Sequence, residues 1–350
     1  MTAPRAGATY AGSGVDRSAV AEALAALLSG VRFRPRPDHG RPLDVPGHYA
    51  GLVRIGRETI AITTDTVGTK VQLAEAVGRW EEVGEDLVGA NVNDLAAVGA
   101  RPAGLVDTIL CRRPDPAVFR AIGRGIDRGL RAAGCGLLGG ETAVVPSIVN
   151  GIDLGATAIG FFPRGRAPVT GARIRPGDVL LGIPSNGLHA NGFTLVHQLL
   201  REHAVDPKAP RPGRRESLAV ELLKPTRIYS GIVDAVADRA EVHGLAHVSG
   251  GGVRNLVRLH RGVKFVLDQW PAPPPEFGYL QELGGISDEE MFQVFNMGVG
   301  FVLVVAPVHL AETRRRLARA GAPDARPIGT VARGEGVSVP DRGLHYLAYA

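Results

Sequence analysis

The first hundred residues show three hydrophobic patterns with different periods. The Ala- and Leu-rich stretch 16–29 predicts a helix that Asp16 caps and Gly30 stops. Residues 51–66 alternate between apolar and polar, which predicts a hairpin of two strands joined at 55–58. Residues 85–100, EDLVGANVNDLAAVGA, are apolar at helical spacing and predict a buried helix.

Further along, strands and helices alternate without a regular strand–helix–strand period, which favours an α+β fold. The expected strands are 102–111, 135–142, 153–163, 179–185, 243–249, 264–268, 298–307 and 327–333, and the expected helices are 116–134, 192–200, 225–239, 253–259 and 309–321. In the segment CGLLGGET, the strand is expected to run into a turn at Gly139 and Gly140.

The chain is long enough for two domains. Its 350 residues exceed the ~100–200 residues of a usual single domain. The segment 164–179 carries four Arg, two Pro and three Gly before the next apolar run, which is typical of a linker. We therefore expect one domain at 1–168 and a second at 169–350.

Composition excludes several classes of protein. Hydrophobic residues make up 45% of the chain and charged residues 21%, which is typical of a globular protein. The two cysteines, Cys111 and Cys135, lack the CxxC spacing of a zinc site. Because no run reaches ~18 apolar residues and the N-terminus has no apolar signal segment, we expect a soluble cytoplasmic protein without membrane contact.

The net charge of +5 comes mostly from arginine, in runs such as 31–37 and 210–215. These runs lack the aromatic interleaving of nucleic-acid sites, so binding to nucleic acid is not indicated. They are either solvated surface or a source of attraction for anionic phosphate substrates.

Three carboxylates in the first half are candidate ligands. Asp65 ends a strand in TTDTVGTK, Asp94 lies in the apolar NVNDLAAVGA, and Glu141 follows LLGG. A carboxylate in an apolar helix is costly unless it is paired or binds a metal. Asp94 is therefore either a member of a buried ion pair, a cap for a neighbouring loop, or an oxygen ligand of Mg²⁺ that is shared with nucleotide phosphates.

Glycine-rich turns are the second candidate feature. GTK at 68–70, GGE at 139–141 and SGGG at 249–252 expose backbone N–H groups that can bind phosphate, most clearly where SGGG precedes VRNLVRL. None has the spacing of a Walker A or dinucleotide motif, and each alone is more often structural. Lys70 either reaches a phosphate or lies on the surface.

Two histidines lie in or beside such turns. His189 sits in SNGLHANGF at 185–193, and His247 lies in HGLAHVSGGG, next to the SGGG turn. A loop histidine is more often a hydrogen-bonded bystander, and the first turn also has the residues of a helix cap. Yet an ordinary pKa of about 6.5 suits imidazole to move a proton or to stabilise a phosphoryl group.

Taken in order, a series of motifs resembles the phosphoribosylformylglycinamidine cyclo-ligase (AIR synthetase) family. They are AGSGVD, DTVGTK, GEDLVGANVNDLAAVGARP, LLGGETAVVP, SNGLHANGFTLV, LLKPTRIY, HVSGGG and EMFQVFNMGVG, and they span 9–330. PTRIY, GGETAVVP and EMFQVFNMGVG are specific to that family. The DTVGTK motif and the Asn-Asp pair are shared with its wider ATP-using superfamily.

The resemblance implies a two-domain α+β fold and a homodimer that pairs the sheets of the N-terminal domains. It also implies an activity that uses ATP and Mg²⁺. The formyl oxygen of formylglycinamidine ribonucleotide is activated as a phosphorylated intermediate. An internal nitrogen then attacks, phosphate leaves, and the imidazole ring of aminoimidazole ribonucleotide closes.

Residue roles are implied by the same resemblance. Asp65, Asp94 and His189 are the catalytic residues, and the two aspartates also bind Mg²⁺. The residues expected to bind ATP are Lys70, Gly139, Gly140, Glu141 and Thr142. The residues expected to bind the substrate are Ser185, Asn186, Asn191, Thr226 and Arg227, with Gly250, Gly251 and Gly252 as the turn for the ribose 5-phosphate.

The chain departs from the family pattern at the segment expected to cover ATP. Ser29 stands near the position of a usual Lys, and 31–49 replaces a Gly-rich loop that contains Phe. Arg32 or Arg34 are the candidate replacement cations, although Arg and Lys are not equivalent at a phosphate. Thr66 also stands where Gly is usual.

Two other readings stay open. The first is another enzyme of the superfamily, such as a thiamine monophosphate kinase, a hydrogenase-maturation dehydratase or a selenophosphate synthetase. The last of these would need a reactive Cys near the N-terminus, and no Cys precedes Cys111. The second is a non-catalytic paralogue that binds nucleotide, which the altered loop favours and the intact Asp65, Asp94 and His189 oppose.

Overall fold

The computed structural model describes residues 7–33, 36, 40–43, 45, 48–239 and 241–349. Arg34 lies outside the described residues. The elements of the first half are α1 (Arg17–Gly30), β1 (Arg41–Leu43), β2 (Gly51–Ile55), β3 (Glu58–Thr66), α2 (Lys70–Val77), α3 (Glu81–Ala96), β4 (Arg101–Cys111), α4 (Pro116–Ala133), β5 (Gly136–Val144) and β6 (Ile152–Phe161).

These strands form a sheet in the order β1-β2-β3-β6-β4-β5. Its pairs are antiparallel except β4 and β5, which are parallel and joined through α4. Helix α3 lies buried between the sheet and α4. Gly125 permits the close approach of α3 and α4, because a Cβ there would lie 1.9 Å from the carbonyl oxygen of Glu81.

The second half forms a separate sheet in the order β13-β12-β9-β11-β7-β10-β8. Its elements are β7 (Val179–Pro184), α5 (Phe193–Glu202), α6 (Leu218–Leu222), α7 (Ser230–Asp234), β8 (Val242–His247), a 3₁₀ helix (Gly252–Arg258), β9 (Val263–Val266), α8 (Pro275–Gly284), α9 (Asp288–Val294), β10 (Val299–Val305), α10 (Leu310–Arg319), β11 (Arg326–Arg333), β12 (Gly336–Val339) and β13 (Leu344–Tyr346), with short 3₁₀ turns at Pro307–His309 and Pro340–Arg342. Every residue of β8 and β10 is buried, so both faces of these strands are covered and burial does not alternate along them. The α+β class is confirmed.

The N-terminal segment contacts the second half of the chain. The amide of Ala8 donates to the carbonyl of Gly284 at 3.0 Å, and the amide of Tyr10 donates to Oε1 of Glu290 at 2.6 Å. Asp16 caps α1 as expected. The division into 1–168 and 169–350 stays a prediction. Within the described ranges, none of the helices combines the length and apolar character needed to cross a bilayer.

Three expected elements need correction. Strand β5 does not turn at Gly139 and Gly140 but continues to Val144, and a bulge at Leu138 absorbs the irregularity against β4. The helix expected at 225–239 is α-helical only over Ser230–Asp234. The helix expected at 253–259 is a 3₁₀ helix over Gly252–Arg258.

Candidate active site

Helix α3 supplies polar side chains to both halves of the molecule. Asp86, Asn91 and Asn93 are buried, and Asp94 is half-buried. Buried polar groups require hydrogen-bond partners, and each of these four side chains has one outside the helix. The helix therefore fixes the surrounding segments relative to one another.

Asp86 pairs with Lys70 in the interior. The Lys70 ammonium lies 2.7 Å from Oδ2 of Asp86 and donates to the carbonyl oxygens of His189 at 2.9 Å and Lys224 at 2.8 Å. These contacts take all three donors of an ammonium group, and the side chain is wholly buried. In this structure the charge of Lys70 is paired with Asp86 and its donors hold the turn at His189, and the expectation that Lys70 binds ATP stays a prediction.

The PTRIY segment also docks on α3. The hydroxyl and the amide of Thr226 donate to Oδ1 of Asp86 at 2.6 and 2.7 Å. The amide of Tyr229 donates to Oδ1 of Asn93 at 2.7 Å. Thr226 is buried and its hydroxyl proton is engaged by Asp86, and its expected contact with substrate stays a prediction.

The guanidinium of Arg227 is held by hydrogen bonds within the protein. Its Nη1 donates to the carbonyl of Pro184 at 3.0 Å and to the carboxylate of Asp324 at 3.2 Å, and its Nη2 donates to the carbonyl of Gly321 at 3.0 Å. The guanidinium thus joins the end of β7 to the segment after α10. These contacts position the end of β7, and the expected substrate-binding role of Arg227 stays a prediction.

Asp65 lies at the end of β3, as expected, with its backbone held by Asn91. The amide of Asp65 donates to Oδ1 of Asn91 at 3.0 Å, and Oδ1 of Asp65 accepts from the amide of Thr66 at 2.8 Å. Although the residue is partly open to solvent, burial by surrounding atoms and then the negative charge of Asp94 raise the pKa of Asp65 to about 6. The structure therefore places Asp65 close enough to Asp94 for the two charges to interact.

Asp94 forms a pair with His247. Oδ1 of Asp94 lies 2.8 Å from Nδ1 of His247, whose ring is buried at the end of β8 beside Phe301. Of the three readings of Asp94, the structure supports pairing, in the form of a hydrogen bond with His247, and a paired carboxylate keeps a second oxygen for another ligand. The Nε2 atom of His247 is buried without a hydrogen-bond partner among the described residues.

His247 is a candidate that the sequence prediction missed as a site residue. Two features of the sequence could have indicated it: His247 lies two residues before Ser249 of SGGG, and an aspartate in an apolar helix needed a partner. A carboxylate that accepts from Nδ1–H fixes the tautomer of a neutral imidazole and leaves Nε2 as the acceptor.

His189 is buried, with a left-handed backbone at φ +63°. Neither ring nitrogen has a hydrogen-bond partner among the described residues. Burial and the nearby charge of His247 hold the pKa of His189 well below 6.5, so the ring is neutral at pH 7. The cap alternative does not hold for the described residues, because α5 begins after Gly192 without a side-chain cap.

The SNGLHANGF turn packs against the SGGG turn. Oδ1 of Asn191 lies 2.8 Å from the position that a Cβ of Gly250 would occupy. Asn186 is exposed, whereas Ser185 is buried and donates from its hydroxyl to Oδ1 of Asn296 at 2.9 Å. The two turns expected to bind substrate therefore meet, although the Ser185 hydroxyl is engaged within the protein.

The SGGG turn needs glycine for its geometry. Gly251 and Gly252 have φ of +112° and +54°, and a Cβ on Gly252 would lie 2.0 Å from the carbonyl oxygen of Phe292. The hydroxyl of Tyr349 donates to the carbonyl of Gly250 at 2.9 Å, so the C-terminal segment covers one side of this turn.

The residues on β5 that are expected to bind ATP lie apart from Asp65. The register places Asp65 and Gly140 in one row across β3, β6, β4 and β5, so three strand spacings of about 4.8 Å separate them. Gly139, Glu141 and Thr142 are exposed on this edge strand. Within one chain, the structure does not bring this group to Asp65. It lies instead beside Asp107, a carboxylate that the sequence prediction did not single out.

The arrangement fits Mg²⁺ that arrives with a nucleotide. No cluster of three or more metal-ligating side chains occurs among the described residues. Mg²⁺ in nucleotide-dependent enzymes takes one or two protein carboxylates together with substrate phosphates, and Asp65 and Asp94 supply that number. Because the charge of Asp94 raises the pKa of Asp65, a cation shared by both would relieve their repulsion.

Comparison with known proteins shows close relatives over nearly the whole chain. Residues 47–162 match the family described as AIR synthase related protein, N-terminal domain, and residues 175–342 match its C-terminal domain. The phosphoribosylformylglycinamidine cyclo-ligase of Pyrococcus furiosus is 42% identical over 347 residues, which cover 97% of this chain and 99% of that protein. The cyclo-ligase of Thermococcus kodakarensis is 43% identical over 343 residues, with coverage of 96% and 99%.

Solved structures with the same fold are more distant in sequence. The HypE–HypF complex matches with a TM-score of 0.65 and 18% identity, covering 91% of this chain and 95% of that chain. Thiamine-monophosphate kinase from Stenotrophomonas maltophilia matches with a TM-score of 0.61 and 20% identity, covering 94% and 98%. These likenesses establish a shared fold, and the 42% identity to a protein matched over 99% of its length establishes closer kinship. The chain belongs to the phosphoribosylformylglycinamidine cyclo-ligase family.

Proposed function

We propose that this protein uses ATP to close formylglycinamidine ribonucleotide into aminoimidazole ribonucleotide, a step of purine biosynthesis, with release of ADP and phosphate. The observation that carries the proposal is the 42% identity to the Pyrococcus furiosus cyclo-ligase over 99% of that protein. The meeting of Asp65, Asp94 and His247 supports it, because these groups suit phosphate and proton chemistry. A cytoplasmic location accords with the use of ATP as substrate.

The reaction requires the formyl oxygen to leave, and an amide oxygen leaves poorly unless it is first phosphorylated. The protein must then hold the γ-phosphate in line with that oxygen and balance its charge. We assign Asp65 and Asp94 to ATP-bound Mg²⁺, which when bound supplies the neutralising charge. His189, neutral at pH 7, can donate a hydrogen bond to a phosphoryl oxygen without needing to gain a proton.

His247 is the candidate group for the proton of ring closure. Asp94 holds its Nδ1, so Nε2 is the nitrogen that accepts a proton in the neutral ring. We assign it the proton that the attacking nitrogen loses as the carbon–nitrogen bond forms. A positioned general base of this kind contributes about 10²- to 10⁴-fold to a rate.

The direct test supplies purified protein with formylglycinamidine ribonucleotide, ATP and Mg²⁺. We expect ADP, phosphate and aminoimidazole ribonucleotide in equal amounts. ATP consumption without aminoimidazole formation would favour another enzyme of the superfamily. Nucleotide binding without any turnover would favour the non-catalytic paralogue.

We also propose the homodimer through the first sheet. The face of this sheet opposite α3 carries large exposed hydrophobic side chains, among them Ile62, Val106 and Phe161. A contiguous apolar face of this kind is typical of an interface. Light scattering of the wild type and of Val106→Glu distinguishes the states: we expect a dimer that the substitution dissociates, and a monomeric wild type would contradict the proposal.

A further inference from the structure

Arg254 is a buried cation with unused hydrogen-bond donors. Its side chain follows the SGGG turn, in the 3₁₀ helix, and the residue is 8% exposed. Its Nε and Nη2 atoms have no hydrogen-bond partner among the described residues. Buried guanidinium groups normally direct this fork of donors at a carboxylate or a phosphate. We therefore expect an anion to bind at this guanidinium.

The charges around Arg254 strengthen the argument that it needs an anionic partner. Burial, and then the positive charge of Arg17, lower the pKa of Arg254. Arg17 itself donates from Nη1 to the carbonyl of Gln293 at 2.8 Å, which leaves its charge unneutralised by that contact. Glu290, the carboxylate that acts on Arg254, already accepts from the amide of Tyr10. Two cations thus act on one buried site where the described residues supply Arg254 with no paired carboxylate.

The site is continuous with the candidate active site. The amide of Arg254 donates to the carbonyl of Gly251 at 3.2 Å, so its backbone is fixed to the SGGG turn. That turn packs on Asn191 of the SNGLHANGF turn. The hydroxyl-bearing rings of Tyr346 and Tyr349 also lie near enough to influence Arg254. An anion held here would lie beside both turns that were expected to contact substrate.

We propose that Arg254, supported by Arg17, binds the phosphate monoester of the ribonucleotide substrate. This inference rests on the proposed function for the identity of the ribonucleotide, whereas the anion site rests on the buried guanidinium alone. A planar fork of donors matches two oxygens of a phosphate, and a glutamine at this position offers neither the charge nor the second donor pair.

The experiment compares the ribonucleotide substrate with its 5′-dephosphorylated ribonucleoside in wild type and Arg254→Gln. For the wild type we expect a much higher kcat/KM with the ribonucleotide. For Arg254→Gln we expect kcat/KM for the ribonucleotide to fall about 10- to 100-fold, which is the range for a hydrogen bond to a charged group. The value for the ribonucleoside and the KM for ATP should stay unchanged. The control is Arg261→Gln, which removes the same charge at an exposed position nearby.

Calorimetric titration of ribose 5-phosphate, ribose and a non-hydrolysable ATP analogue gives a readout that does not need turnover. We expect Arg254→Gln to weaken ribose 5-phosphate binding alone, and Arg254→Lys to restore part of it. If ring closure is never observed but ribose 5-phosphate binding depends on Arg254, the proposed function fails and the site stands. Unchanged discrimination against the ribonucleoside, or weakened binding of the ATP analogue alone, would overturn the assignment. If Arg254→Gln does not fold, Arg254→Lys decides by the same comparisons.

Discussion

Replacement of Lys70 by Met separates a structural lysine from a nucleotide-binding one. In the structure the ammonium neutralises Asp86 and donates to the carbonyl oxygens of His189 and Lys224. Methionine keeps much of the side-chain volume but removes the charge and all three donors. Because both members of the pair are wholly buried, we expect the loss to appear in the free energy of unfolding.

The expected loss in the free energy of unfolding depends on the contacts that Asp86 keeps after Lys70 is replaced. Removing one partner of a buried ion pair costs about 3–5 kcal/mol, because the other charge is left uncompensated. Asp86 still accepts from the hydroxyl and amide of Thr226 at 2.6 and 2.7 Å, so we expect the lower part of this range. In Lys70→Met/Asp86→Asn no charge is left buried, and the loss should be smaller than for Lys70→Met alone.

The assay is urea denaturation followed by circular dichroism, with the KM for ATP measured on the folded variant. Arg131→Met is the matched control, because it breaks an exposed pair with Asp127 and should leave the denaturation midpoint unchanged. A Lys70→Met protein with wild-type stability and a strongly raised KM for ATP would refute the structural assignment and support the ATP-binding prediction.

Further predictions concern the remaining groups of the site. Asp94→Asn should lower turnover by at least about 10²-fold with the circular dichroism spectrum intact, since it removes a carboxylate that serves both His247 and the phosphate site; wild-type turnover would reduce Asp94 to a structural role. His247→Gln should lower kcat more than the KM for either substrate, and an effect confined to KM would contradict a role in proton transfer. Because the pKa of Asp65 is raised to about 6, ionised Asp65 destabilises the fold. Asp65→Asn should therefore be more stable than wild type at pH 8 and lose this advantage as pH falls from about 6 towards 4; a constant difference across that range would contradict the shift. Gly300→Ala should destabilise the protein in thermal denaturation, because its Cβ would lie 2.7 Å from Cε1 of His189.

The local sequence pattern predicted an element correctly where the contacts that stabilise it join residues close together in the chain. The hairpin of β2 and β3 and the cap of α1 by Asp16 depend on residues only a few positions apart. The buried helix α3 was predicted because its apolar spacing is regular over 85–100. The expected α-helix at 225–239 failed for the opposite reason. The amides of Thr226 and Tyr229 donate to side chains of α3, so tertiary partners take the groups that a helix would have used.

The sequence by itself determined the α+β class and the family, because these depend on residue type and order. It also pointed to Asp65, Asp94 and His189 as candidate catalytic residues. Only the tertiary structure decided their partners. It joined Asp94 to His247 across 153 positions and left Arg254 buried with unused donors. It also paired Lys70 with Asp86. A charged group is governed by the atoms within a few ångströms of it, and in this fold those atoms come from distant parts of the chain.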